Sequence, residues 1–229
     1  MTKKTLIKFP KLLLVLSSFI IAHFNASAQT VSYTGGTLLE TFDGMGTAGT
    51  TTPPGWFVAS NAATVLNYTT AVTVNDGTAG PNVSVRGFNL GNNGDRAIGT
   101  GPTASDRYIE VRIKNASTSS SMTAINIHWD GEQWRTGSGI TTTNRVVLQL
   151  STDGVTYNTN LGSAFTFIQP TMGPASLALD GNIASNRVAN LGGAVTLPSA
   201  VPPGGILYLR WFDFNEANTD PILALDNFS

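Results

Sequence analysis

The stretch Arg107-Tyr108-Ile109-Glu110-Val111-Arg112-Ile113-Lys114-Asn115 decides the fold class. Ile109, Val111 and Ile113 alternate with Glu110, Arg112 and Lys114, a period of two that sends the two sets to opposite faces of a pleated strand, one buried and one wet. Thr123 to Asp130 repeats the pattern, with Ile125, Ile127 and Trp129 set against Asn126, His128 and Asp130. Arg145 to Leu150 reaches Ser151-Thr152-Asp153-Gly154, whose Asp-Gly pair tolerates positive φ and predicts a hairpin into Val155 to Tyr157. Phe165 to Ile168, Arg187 to Leu197, Ile206 to Phe214 and Ile222 to Phe228 complete the expected strands, separated by loops such as Val201-Pro202-Pro203-Gly204-Gly205. No stretch carries a defensible helical period. Short strands with turn signals between them predict an all-β fold, an antiparallel two-sheet β-sandwich of jelly-roll architecture.

Composition bounds the rest. The chain has 229 residues, 41% hydrophobic and 12% charged, with 24 Gly, no Cys and a formal net charge of -1. That profile excludes a disordered polyelectrolyte, a disulfide-stapled miniprotein, a cysteine-ligated zinc site and a strongly basic nucleic-acid binder. Lys3, Lys4, Lys8 and Lys11 precede the apolar run Leu12 to Phe24 and the small-residue site Ala26-Ser27-Ala28, the pattern of a secretory signal peptide over 1–28. The run is shorter than the roughly 20 residues that span a bilayer, and no Cys follows it for a lipid anchor. Cleavage removes four of the 13 basic residues and no acid, leaving 9 against 14 and a net charge of -5. Such a surface has no overall attraction for phosphate backbones or anionic membranes. No fixed-period repeat or Pro/Ser-rich linker divides the remainder. Residues 29–229 are therefore expected to form a single β-sandwich domain, free-standing or leading a longer protein, exported to the cell surface or beyond.

The catalytic inventory is thin. After cleavage His128 is the sole imidazole, so no His cluster for zinc forms, and no Gly-x-Ser-x-Gly elbow accompanies it. Asp130 and Glu132 are the best acid pair, since residues two apart on a strand project to one side, but Gly131 between them reads as a turn with both acids solvated or one paired to Arg135. Trp134 stands in a polar neighbourhood with Glu132, Gln133 and Arg135. A flat indole flanked by hydrogen-bonding groups suits sugar rings, whose C–H faces are apolar and whose hydroxyls need partners. Asp130, Glu132, Gln133, Trp134 and Arg135 are thus the candidate ligand-binding residues; the alternative is that Trp134 plugs the edge of the sandwich and Arg135 pairs with Glu132. Trp56, Trp129 and Trp211 read as core.

Glu40-Thr41-Phe42-Asp43-Gly44 with Pro54-Gly55-Trp56, and Leu223-Ala224-Leu225-Asp226-Asn227-Phe228 near the other end, carry a resemblance. So do Gly131 to Arg135 and Leu148 to Gly154. Together they resemble MAM-like and carbohydrate-binding-module-like jelly-roll domains (concanavalin/galactose-binding-like) of exported bacterial surface proteins, although the cysteines of MAM domains are missing. The resemblance implies that the opening Phe-acid segment and the closing strand lie side by side. It also implies a structural calcium held by Asp43 and Asp226, supplemented by Glu40 and Asp220; calcium takes six to eight hard oxygens.

The sequence therefore points to a secreted, non-catalytic recognition or adhesion module whose partner is a glycan or a cell-surface protein. The alternatives are a polysaccharide hydrolase or lyase using Asp130 and Glu132, and a purely structural spacer of a larger surface protein.

Overall fold

The computed structural model describes residues 29–61, 66–139 and 143–229; the expected leader, residues 1–28, lies outside the described residues. In chain order the strands are β1 (Val31–Tyr33), β2 (Trp56–Ser60), β3 (Asn67–Thr69), β4 (Thr73–Asn75), β5 (Phe88–Leu90), β6 (Ala97–Thr100), β7 (Arg107–Asn115), β8 (Met122–Arg135), β9 (Arg145–Ser151), β10 (Thr166–Ile168), β11 (Arg187–Val201), β12 (Ile206–Asp213) and β13 (Ile222–Asp226). They form two sheets. The front sheet runs β10-β9-β12-β7-β2-β3 with β1 beside β7, and the back sheet runs β11-β8-β13-β6-β5-β4. From β6 onward the chain passes between the sheets at nearly every step, as a jelly roll requires. Pairing is antiparallel except at β1 with β7 and β4 with β5, which are parallel.

The period-two stretches sit as their patterns demand. On β7, Ile109, Val111 and Ile113 face inward, opposite Trp211, Leu209 and Leu207 of β12. Each such side chain removed from water contributes roughly 1.5–3 kcal/mol. At the centre Trp56 stacks on Trp211 at 5.6 Å, with Phe228 edge-on to both and Phe42 edge-on to Trp56. Trp129 and Phe167 continue the cluster across the sandwich. All three Trp residues read as core are buried. The opening and closing segments do lie side by side: Glu40 and Phe228 exchange two backbone hydrogen bonds of 2.9 Å.

Three expectations are corrected. The second strand does not stop at Asp130; β8 continues through Gly131 to Arg135, because a glycine lets the strand pass against the Phe167 ring, where a Cβ would overlap it. Gly154 has the expected positive φ of 73°, yet Val155 to Tyr157 forms no strand; the chain returns only as an isolated bridge between Asn158 and Leu150. The six strands before Arg107, each three to five residues long, were not legible in the pattern.

Candidate functional site

Trp134 is on a strand, not in a polar loop. On the outer face of the back sheet it packs with Phe88, Leu90, Ala97, Ile222 and Ala224 in a second small core and is fully buried. Gly181 lies against the indole so closely that a Cβ there would overlap it. The indole Nε1–H donates to Glu132 Oε2 at 2.9 Å, and Glu132 is itself sealed from solvent. Gln133 exchanges two hydrogen bonds of 2.8 Å with the backbone of Thr171. Arg135 does not pair with Glu132; it donates to Ser176 and to the carbonyls of Gly77 and Thr78. These polar side chains tie covering loops to the sheet, and Trp134 presents no face on which a sugar could stack.

Asp130 and Glu132 do project to one side, but Glu132 lies under the covering loops. Asp130 accepts from Asn190 N–H at 2.7 Å and stands 3.9 Å from Arg187. Burial, against the Trp134 hydrogen bond, raises the Glu132 pKa to about 7. His128 Nδ1 is buried with no hydrogen-bond partner among the described residues. His128 also lines a cavity of about 490 Å³, whose other walls include the apolar side chains of Leu38, Ile113, Ile125 and Leu207.

The four expected calcium ligands do not converge. Asp220 belongs elsewhere, accepting from Asn144 Nδ2 and Glu216 N–H, and burial lifts its pKa to about 7. Glu40 Oε1 accepts from Phe42 N–H and Asp43 Oδ1 from Arg96 N–H, each at 2.8 Å. Asp226 is buried near Asp43, with Oδ1 unpartnered among the described residues, and burial followed by repulsion from Glu132 raises its pKa to about 8. Among the described residues no three His, Cys, Asp or Glu side chains come together in a group that could hold a metal ion.

The richest surface chemistry lies on the outer face of the front sheet. The positions out of phase with the core there are Phe57 on β2, Tyr68 on β3, Tyr108, Glu110 and Arg112 on β7, Gln149 on β9, and Tyr208, Arg210 and Phe212 on β12. Register sets Arg112 opposite Tyr208, Glu110 opposite Arg210 and Tyr108 opposite Phe212. Glu110 Oε2 accepts from the Tyr68 hydroxyl at 2.5 Å and the Tyr157 hydroxyl at 2.8 Å, while Oε1 accepts from Arg112 Nε at 2.8 Å. Burial, then the Glu110 charge, pushes both phenol pKa values up, so both remain donors. Arg112 lies over Phe57 at 4.3 Å and Tyr68 at 4.9 Å; Arg210 lies 3.5 Å over Tyr157 and donates twice to Gln149 Oε1. Tyr108 and Phe212 stack at 4.8 Å, with Phe214 beside them and Arg145 over Phe214. Phe57, Tyr68, Tyr157, Tyr208, Phe212 and Phe214 all remain partly accessible. The sequence reading named none of these as site residues. The available signal was the wet phase of Ile206 to Phe214, where Tyr208, Arg210, Phe212 and Phe214 stand in place of Ser, Thr or Asn.

No protein-family model matches the chain, and no curated protein matches it. Among solved structures it is similar to the K3 cleaved adhesin domain of Lys-gingipain from Porphyromonas gingivalis w83, at 13% identity over 60% of this chain and 75% of that one, with a TM-score of 0.32.

Proposed function

We propose that this chain is a non-catalytic recognition or adhesion module of the cell exterior that binds glycan through the outer face of its front sheet. The observation that carries the reading is the contiguous set of half-exposed aromatic rings interleaved with guanidinium, amide and phenol groups across β3, β2, β7, β12 and β9. Aromatic planes match the apolar faces of sugar rings, and the polar groups between them supply hydrogen bonds to hydroxyls. A sheet fixes these groups more firmly than loops would. Its export is supported by the sequence of residues 1–28, and the non-enzymatic reading by the sealing of Glu132.

Affinity electrophoresis of the full chain through gels containing soluble polysaccharides tests it. Retardation by at least one glycan is expected, with Tyr208→Ala and Phe212→Ala each weakening it about tenfold while the chain stays folded. A folded chain retarded by no glycan, or variants that bind as the unaltered chain does, would sink the proposal.

A further inference from the structure

We infer that the glycan taken by this face is acidic, with uronate carboxylates as its recognised groups; the inference rests on the glycan-binding reading above. Charge is distributed unevenly over the molecule. Residues 29–229 carry nine basic and fourteen acidic residues, yet the outward positions of β2, β7, β9 and β12 hold Arg112, Lys114, Arg145 and Arg210 against the single acid Glu110. That acid is buried and already accepts hydrogen bonds from two phenols and from Arg112. At the rim, Asp153 is occupied by the N–H groups of Val155 and Thr156 and by the Ser151 hydroxyl. An otherwise acidic surface therefore surrounds a cationic, aromatic face whose own carboxylate, Glu110, is covered by the groups that bond it, while Asp106 at the rim beside Tyr108 accepts from Asn215 N–H.

Guanidinium orientation adds the chemistry. Glu110 holds Arg112 through Nε, and rings on both sides fix its plane. Its two Nη groups make no hydrogen bond among the described residues and are not sealed from solvent. A fixed planar guanidinium with a free N–H edge matches a carboxylate bidentately, and such charge-assisted pairs are the stronger kind of hydrogen bond. Arg210 is anchored in the same manner by Gln149 and Tyr157, with Nη1 left over. Flanking rings would take the sugar faces while the free N–H groups take the carboxylates.

The test runs the full chain in gels containing polygalacturonate, alginate, neutral dextran, dextran sulfate or a single-stranded oligonucleotide, at ionic strengths of about 0.05 M and about 0.5 M. Expected is retardation by a uronate polymer well above that by dextran, weakened at the higher salt. Arg112→Gln should lower uronate affinity about tenfold, and Lys114→Gln, a substitution at an exposed position, should lower it about threefold. Dextran bound as well as the uronates leaves the glycan-binding face standing and overturns the acidic specificity. Dextran sulfate or the oligonucleotide bound more tightly than either uronate polymer overturns the carboxylate assignment. No retardation by any polysaccharide overturns both the inference and the reading beneath it.

Discussion

Trp134 gains its burial and its hydrogen bond from different neighbours, and each can be removed separately. Trp134→Ala should destabilise the fold by about 3–5 kcal/mol, the range for emptying a large aromatic site, and should also leave Glu132 without its indole donor. Trp134→Phe keeps most of the apolar area and should cost less, about 1–3 kcal/mol from the unsatisfied carboxyl. Urea unfolding of the three proteins checks the order, and equal midpoints would refute it. Glycan retardation by the front-sheet face should persist in Trp134→Phe, because the indole lies on the outer face of the other sheet. The sequence misleads here for a physical reason: Glu132, Gln133 and Arg135 look like a solvated loop, whereas their hydrogen bonds are made to Trp134, Thr171, Ser176, Gly77 and Thr78. Polarity in the sequence reports a need for partners, and all of those partners except Trp134 come from distant loops that no local pattern reveals.

At the scale of the strand pair, β8 and β13 bring Glu132 and Asp226 onto one face two residues out of register. Each keeps one buried oxygen without a partner among the described residues, and burial raises their pKa values to about 7 and about 8. Unfolded, both would titrate near pH 4. Between that value and about 7 to 8 the folded chain holds protons that the unfolded chain has released, so unfolding releases protons and rising pH favours it. Their stabilising contribution is present in full at the acid end and fades as pH climbs through 7 to 8. Calorimetric Tm should therefore fall by at least about 5 °C from pH 5 to pH 8, since about 1 kcal/mol moves Tm by 2–4 °C in a chain of this size. Glu132→Gln should flatten the slope, and calcium at pH 8 should not restore Tm; a large rise with calcium would show a cation held by these oxygens after all. Neighbouring Gly131 gives a companion test. Gly131→Ala should cost about 1–3 kcal/mol by pressing a methyl into Phe167; no change in the urea midpoint would mean that β8 turns at Gly131 as the sequence alone indicates. Strands β7 and β12 were legible because alternation runs over eight or nine residues. β1, β3, β4 and β5 have three residues each, too few to show a period, and are defined by pairing with their neighbours in the sheets. The front-sheet site carries no motif; on β12 the core takes Leu207, Leu209 and Trp211 and leaves Tyr208 and Phe212 on the wet side, a placement that depends on which phase of the strand faces the other sheet.

For the molecule as a whole, the decisive contact is the meeting of its opening and closing segments over the aromatic centre. Glu40 and Phe228 pair through the backbone, Ser229 pairs likewise with His128 on β8, and the Phe228 ring touches Trp56 and Trp211 of the front sheet. Phe228 thus joins the closing segment to the front sheet through its ring and to the opening segment through its backbone pairing with Glu40. If residues 29–229 are one cooperative unit, loosening this junction must weaken both sheets together, because neither can keep its inner face dry alone. Phe228→Ala should lower stability by about 3–5 kcal/mol. Its effect should be read by two probes, the summed tryptophan emission and the near-ultraviolet circular dichroism of the Tyr and Phe residues on the front-sheet face, during urea unfolding. Coincident curves shifted together are the expected result. Curves that separate in Phe228→Ala, with one probe keeping the midpoint of the unaltered chain, would show that the sheets hold themselves together independently and that the junction is only a surface seam.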